Sequence, residues 1–364
     1  MSEKFSKEHI PVFFHCSDYF APFMSVTIAS ILCNTKEFID FYVIETGITN
    51  SHKKMIEDMK KDFDNFSIEW IAFEYNDIFK KEYFEGIYNF PKKNQWPGIH
   101  AFATPFMPLL KPNIDKFIYL DTDIIFVDDI KKLYEQDIEN IPLAASPELV
   151  IPLYLNELIF MKNKNIHYDE YGNYFNAGLL LVNAKYFREN NIIEKYFYYA
   201  KTELMQIADQ DCLNRLFYKK AKILDVRFNF IYMPFEEKLK EKNINIPLQY
   251  FENERKQIIA RHFADRKPWH HTKENWSQQP ILLQEDFWSY AEKSPFYSYI
   301  KMHFISNKLD LLEYNICNKS PKNKENGTIN IKLLHLTVLK LKYTSNEFVL
   351  LLFGHIPLFK GKKK

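Results

Sequence analysis

Two aspartates one residue apart, Asp121 and Asp123, interrupt the apolar run IYLDTDIIFV at residues 118–127. A buried carboxylate is costly unless protons, cations or a metal pair with it. Residues two apart on an extended backbone point the same way, so these two can converge on one cation. Hard oxygen ligands suit Mg²⁺ or Mn²⁺, with phosphate oxygens available to complete the shell. A surface turn carrying two solvated aspartates is the plainer reading. The apolar flanks on both sides argue against it.

Two further segments carry chemistry. RHFADRKPWH (261–270) sets His262, Lys267, Trp269 and a second histidine close together after an apolar run. A lone histidine is usually structural, but a lysine and a second imidazole beside it suit an anion or metal-phosphate site. Asp209, Gln210 and Asp211 are consecutive at the start of a helical pattern. One such residue serves as an N-cap, and three exceed that need. A strand-ending DxD could instead supply the aspartyl nucleophile of a phosphatase. That arrangement usually lies near the N-terminus with Thr or Val next, whereas Ile124 follows here.

The elements that position these residues read as alternating strands and helices. VFFHC (12–16), FYVIET (41–46), SIEWIAF (67–73), KFIYL (116–120), FNAGLLLVN (175–183), AKILDV (221–226) and QIIARHF (257–263) are strand candidates. APFMSVTIASILCNT, SHKKMIEDMKKDF, IIEKYFYYAKTELM and ADQDCLNRLFYKK have helical spacing, the last with Cys212, Leu213, Leu216 and Phe217 on its apolar face. Such alternation predicts a mainly parallel sheet covered on both faces. FNAGLLLVN has the continuous apolar character of a strand buried on both sides. In an open α/β sheet ligands bind beyond the carboxyl ends of strands, which is where KFIYL hands over to Asp121.

With 364 residues, 46% of them hydrophobic, the chain can bury a large core, which excludes a disordered protein. Its 48 Lys and Arg against 47 Asp and Glu give a formal charge of +1, so nothing marks a nucleic-acid binder. Cys16, Cys33, Cys212 and Cys317 form no CxxC pair and fit a reducing compartment. Neither a signal-peptide pattern nor a membrane-length apolar stretch is evident, and a cytoplasmic protein is expected. The α/β alternation stops near residue 275, and SPKNKENG (320–327) reads as a linker. The tail from KLLHLTVLKLKY to FKGKKK mixes apolar residues with lysines, broken by Gly354 and Pro357. It reads either as an interfacial segment inserted among anionic lipids or as a C-terminal helix packed on the preceding domain.

YLDTDIIFVDDI, YFNAGLLLVN, ADQDCLN and HFADRKPW, in this order after FFHCSDYFAPFMSVTIASIL, resemble the family-8 glycosyltransferases, and most of all bacterial lipopolysaccharide and lipooligosaccharide galactosyl- and glucosyltransferases. The resemblance covers roughly residues 10 to 270 and implies a GT-A fold that binds Mn²⁺ and a UDP-sugar and transfers a hexose with retention. It implies metal ligation by Asp121, Asp123 and His262. His15, Ser17 and Tyr19 match the segment around uridine, Lys267 the lysine that meets the diphosphate, and Asn176, Asp209 and Gln210 the surroundings of the donor sugar. Thr122, between the aspartates, falls among the donor-binding positions. Gln210 and Asp211 are expected near the far face of the anomeric carbon, with Asp211 a conceivable nucleophile.

Two positions depart from the family pattern. Thr104 stands where an arginine is usual, and Asp265 stands where a glycine would let the backbone approach phosphate, in a loop one residue shorter. The expectations are therefore a GT-A catalytic domain over 1–272 with a mixed Rossmann-like sheet, and a mostly helical, basic, membrane-associating extension over 273–364. The acceptor implied is a cell-surface glycolipid at the inner face of the membrane. The same fold acting on a protein or free saccharide, and a non-catalytic UDP binder, are the alternatives.

Overall fold

The computed structural model describes residues 9–87, 102–148, 173–203, 207–231, 257–264, 266–270, 281–306, 326–333, 336–344, 347–352 and 356–362. They form two compact units, Met1–Ile305 and Ser306–Lys364.

The first unit is built on a seven-stranded mixed sheet. Its strands are β1 (His9–Ser17), β2 (Phe38–Thr46), β3 (Phe66–Ala72), β4 (Lys116–Leu120), β6 (Leu143–Pro147), β7 (Phe175–Asn183) and β8 (Lys222–Ile223), in the order β3-β2-β1-β4-β7-β6-β8. β1 pairs parallel with both β2 and β4, so the chain winds one way from β1 to β3 and then crosses to the other side for β4. The carboxyl ends of β1 and β4 therefore flank a topological switch point, where open sheets leave a crevice. Three short strands, β5 (Ile124–Phe126), β9 (Phe230–Ile231) and β10 (Ala260–His262), make a second sheet in the order β5-β10-β9.

Every residue of β7 is buried, as its apolar run predicts, but it runs antiparallel to both β4 and β6. That orientation brings its first residues, Phe175 to Gly178, alongside the end of β4. AKILDV gives only the two residues of β8 before a 3₁₀ turn at Val226–Asn229, and QIIARHF gives only the three of β10. β6, LAASP, was not anticipated: small residues and a proline carry little strand signal.

Among the described residues, the helices that pack around the sheet include α1 (Ala21–Asn34), α2 (Asn50–Glu57), α3 (Ala184–Glu189), α4 (Ile192–Thr202), α5 (Ala208–Phe217) and α6 (Gln284–Ala291). Pro22 opens α1, where its missing N–H costs nothing. All its residues from Ala21 to Leu32 are buried, because the sheet covers one side and α6 another. Among the described residues two large apolar clusters make up most of the core: one includes α1, α2 and α6, the other α3, α4 and α5.

The first part of the C-terminal segment belongs to this unit. Phe287, Ala291, Phe296 and Ile300 join the core beside α1, and the buried hydroxyls of Ser25 and Ser294 are 2.5 Å apart. Residues 284–291 and 297–306 are helical as expected. The tail proper is not. β11 (Asn326–Leu333), β12 (Leu336–Thr344), β13 (Glu347–Leu352) and β14 (Ile356–Lys362) form a four-stranded antiparallel sheet in sequential order. TINIKL and LKLKYT alternate apolar and polar residues with a period of two, a strand pattern that a basic-amphipathic reading does not weigh. Among the described residues no helix is long and apolar enough to cross a membrane.

Candidate active site

The site is assembled around the turn after β4. The Asp121 N–H donates to the carbonyl of Gly178 at 2.7 Å, and the Thr27 hydroxyl of α1 donates to the carbonyl of Thr122 at 3.2 Å. The turn is thus fixed from the strand on one side and the helix on the other. β5 leaves it and pairs antiparallel with β10, with His262 opposite Ile124. The Phe263 N–H closes the register on the Asp123 carbonyl at 2.9 Å. This register brings His262 beside Asp121 and Asp123, which precede it by 141 and 139 positions in sequence.

His262 Nε2 lies 3.2 Å from Asp123 Oδ1 and 3.8 Å from Asp121 Oδ2. One ligand atom from each residue lies within 4.8 Å of the others. Adjacent ligands on an octahedral ion with bonds of about 2.1 Å are about 3 Å apart and opposite ones about 4.2 Å. The separations fit such an ion, and two carboxylates with one imidazole suit Mn²⁺ or Mg²⁺. The imidazole is 4% exposed and Asp123 13%, while Asp121 keeps 41% of its side chain open to the crevice. An ion here would thus be reached past Asp121.

The charges answer what holds the two aspartates. Burial works against Asp123, but Lys267 and then His262 outweigh it and hold its carboxyl well below the usual carboxylate range. Its ion-pair partner is the Lys267 ammonium, which donates directly to Asp123 Oδ2. For Asp121, deep placement in the crevice and the charge of Asp123 push the carboxyl up, against His262, while the Tyr119 hydroxyl donates to its Oδ1 at 3.0 Å. A divalent cation bound here would satisfy both groups at once.

Three consecutive residues of α5 point three ways, as 100° steps require. Asp209 lies within the electrostatic reach of Asp121: burial and then the charge of Asp121 raise its carboxyl to about 8. A cation on Asp121 removes the second of these causes. Gln210 turns to β7, its Oε1 accepting from the Ala177 N–H at 3.0 Å and its Nε2 donating to the Tyr174 hydroxyl at 3.2 Å. Asp211 turns into the protein. It is 1% exposed, accepts from the Tyr174 hydroxyl at 2.7 Å, and caps its own helix by accepting from the Ile207 N–H at 3.0 Å. Both oxygens accept from these buried donors, which gives Asp211 a structural role.

Asn176 is buried at the start of β7, where its Oδ1 accepts from the Gly178 N–H at 2.9 Å and its Nδ2 donates to Glu148 Oε2 at 2.8 Å. His15 and Ser17 end β1, and Tyr19 follows in the turn, 45% exposed, with its hydroxyl 3.4 Å from His270 Nε2. The loop carrying Lys267 and His270 is anchored by Trp269, which is buried and stacks on Phe23 of α1 at 4.1 Å. Such a stack contributes about 0.5–1.5 kcal/mol beyond its buried area. Trp269 thus belongs to the core.

The sequence reading missed Gly178, Glu148, Asn229 and Tyr119. A Cβ on Gly178 would lie 2.4 Å from His262 Cε1 and 2.6 Å from Asp121 Oδ2, so any larger residue there must displace these side chains. A glycine within the buried run FNAGLLLVN was the available signal for such a close approach. Thr104, where the family pattern has arginine, is 2% exposed in a 3₁₀ turn and supplies no charge. Asp265, and residues 149–172 of the variable segment, lie outside the described residues.

Sheet, switch point and site together define the GT-A class of glycosyltransferases. The sequence profile described as glycosyl transferase family 8 matches residues 11–273, and the chain belongs to that family. Among its relatives, it is 29% identical over 265 residues to a putative glycosyltransferase of Haemophilus influenzae, covering 71% of this chain and 72% of that protein. It is 23% identical over 259 residues to lipopolysaccharide 1,2-glucosyltransferase of Escherichia coli, covering 68% and 69%. Lipopolysaccharide 1,3-galactosyltransferase of Salmonella typhimurium is 24% identical over 264 residues, 70% of each chain. Of solved structures, the bifunctional glycosyltransferase WbbM superposes with a TM-score of 0.66 at 19% identity, over 83% of this chain and 53% of that one. Galactosyltransferase LgtC, in complex with donor and acceptor sugar analogs, gives 0.60 at 24% identity, over 78% and 96%.

Proposed function

We propose that the protein is a metal-dependent, retaining hexosyltransferase that moves galactose or glucose from a UDP-sugar to a lipopolysaccharide or lipooligosaccharide acceptor. The observation that carries this reading is the Asp121–Asp123–His262 constellation at the switch point of a family-8 fold. The lipopolysaccharide transferases among the relatives support the acceptor class.

In this reading Asp121, Asp123 and His262 hold the divalent ion, which supplies positive charge at the diphosphate as the glycosidic bond breaks. His15, Ser17 and Tyr19 border the nucleoside across the crevice. Lys267 leaves Asp123 for the diphosphate oxygens, a preorganised charge at the leaving group. Asn176, Asp209 and Gln210 surround the hexose. With Asp211 engaged elsewhere, retention rests on delivery of the acceptor hydroxyl to the face the diphosphate leaves. The basic tail gives the protein an electrostatic hold on an anionic membrane, peripheral and cytoplasmic.

The test is UDP release from a panel of UDP-sugars with Mn²⁺, with and without an oligosaccharide acceptor. Release from UDP-galactose or UDP-glucose, raised by the acceptor and abolished by EDTA, is the expected result. UDP binding without release from any donor, acceptor present, would establish a non-catalytic binder instead.

A further inference from the structure

His262 has two ring nitrogens, and only one faces the aspartates. The other, Nδ1, is 3.1 Å from Asn229 Oδ1, and both residues are buried. Asn229 ends the 3₁₀ turn Val226–Asn229, whose start is capped by the Asp225 carboxylate accepting from the Arg227 N–H at 2.9 Å. The chain then enters β9, which pairs in parallel with β10, Phe230 beside Arg261 and Ile231 beside His262. This register sets Asn229 behind the imidazole.

The direction of every hydrogen bond behind His262 follows from groups whose polarity is fixed. Asn176 Oδ1 accepts from the Gly178 main-chain N–H at 2.9 Å, and a main-chain N–H can only donate. Asn176 Nδ2 therefore faces Glu148, and donates to Oε2 at 2.8 Å. Asn176 Oδ1 also receives Asn229 Nδ2 at 2.8 Å, which leaves Asn229 Oδ1 as the atom facing His262. An amide oxygen can only accept. His262 Nδ1 must then carry a hydrogen, and the lone pair available to a cation is on Nε2, the nitrogen turned to Asp121 and Asp123.

We propose that Asn229 is a positioning residue of the metal site: it fixes the tautomer and ring orientation of His262, and Glu148, through Asn176, fixes Asn229. Outer partners of ligating histidines typically contribute 10- to 100-fold in metal affinity. The same chain touches Gln210, whose Oε1 lies 3.2 Å from Asn176 Nδ2 and whose Nε2 lies 3.4 Å from Glu148 Oε2. The donor-sugar side and the metal side thus share one set of hydrogen bonds. The inference rests on the proposed reading of Asp121, Asp123 and His262 as metal ligands.

The experiment uses the full chain and Mn²⁺ alone, titrated by the EPR signal of free Mn²⁺, for wild type, Asn229→Leu and Asn229→Asp. Asn229→Leu removes the acceptor and weakens Mn²⁺ binding by about 10- to 100-fold. Asn229→Asp keeps an oxygen toward Nδ1 but no donor toward Asn176, so Mn²⁺ affinity stays within several-fold while KM for the donor rises. In wild type, ¹⁵N shifts of His262 show a protonated Nδ1, a readout independent of how any variant folds. A bare Nδ1, or Asn229→Leu and Asn229→Asp changing Mn²⁺ affinity alike, overturns the positioning role with the metal site intact. Wild type that binds no Mn²⁺ overturns the metal reading itself, and this inference with it.

Discussion

Gly178→Ala is the smallest change that reaches the centre of the site. The backbone permits it: Gly178 is not among the glycines of positive φ, and it sits in the middle of β7. Fewer unfolded conformations would even favour the alanine by about 0.4–1 kcal/mol. The obstacle is in front of the strand, where the new methyl meets His262 Cε1 at 2.4 Å, Asp121 Oδ2 at 2.6 Å and Asn176 Oδ1 at 3.1 Å. Carbon–carbon contacts settle at about 3.5–4.0 Å, so the imidazole must retreat by about 1 Å. Metal sites accept ligand displacements of about 0.2 Å. Relieving overpacking of this kind costs about 1–3 kcal/mol, and here the cost falls on two of three ligands. That corresponds to roughly 5- to 150-fold weaker Mn²⁺ binding. Calorimetric titration with Mn²⁺, beside thermal melting in EDTA, separates the two effects: affinity falls, while the metal-free melting temperature drops by a few degrees and the protein stays folded. Wild-type Mn²⁺ affinity in Gly178→Ala would refute the packing argument.

Other perturbations test the remaining assignments. Asp211→Ala leaves the Tyr174 hydroxyl and the Ile207 N–H short of a buried acceptor, at about 1–3 kcal/mol, and lowers the melting temperature by a few degrees; an unchanged melting curve would return Asp211 to the list of chemical residues. Lys267→Met removes the cation that competes for Asp123, so Mn²⁺ alone binds several-fold more tightly while UDP binds more weakly; both affinities falling together would contradict the exchange of Lys267 between carboxylate and diphosphate. The intact protein should sediment with anionic vesicles, detach at about 0.5 M salt and ignore neutral ones, a screened electrostatic attachment. Binding to neither vesicle would remove the membrane role given to the tail.

The parts of this site that were legible in the sequence are those whose residue types are expensive where they sit. Two carboxylates inside IYLDTDIIFV need a cation, and the strand that precedes them is fixed by its apolar run; the structure brings His262 to them. What the sequence could not show is direction. Asp209, Gln210 and Asp211 read as one polar cluster, yet helix geometry separates them: Asp209 feels the charge of Asp121, Gln210 meets β7 and Asp211 accepts from its own helix start. Asn229 and Glu148 carry no local signal, because their role exists only once β9, β10 and β7 are side by side. FNAGLLLVN read as a buried strand, but its antiparallel sense depends on a crossing outside it. The tail failed for a different reason: lysines among leucines suggest an amphipathic helix by composition, while the period-two alternation from Thr328 onward carries the strand.

The central claim is that Asp121, Asp123 and His262 hold a divalent ion that the UDP-sugar needs for its bond to break. The most direct measurement compares Mn²⁺-dependent UDP release by wild type and Asp123→Ala across a range of Mn²⁺ concentrations, from whichever UDP-sugar the wild type turns over. The account predicts release that saturates with Mn²⁺ in wild type and is lost in Asp123→Ala, with the variant still folded by its melting curve. Release that persists in Asp123→Ala at the same Mn²⁺ concentration would contradict it.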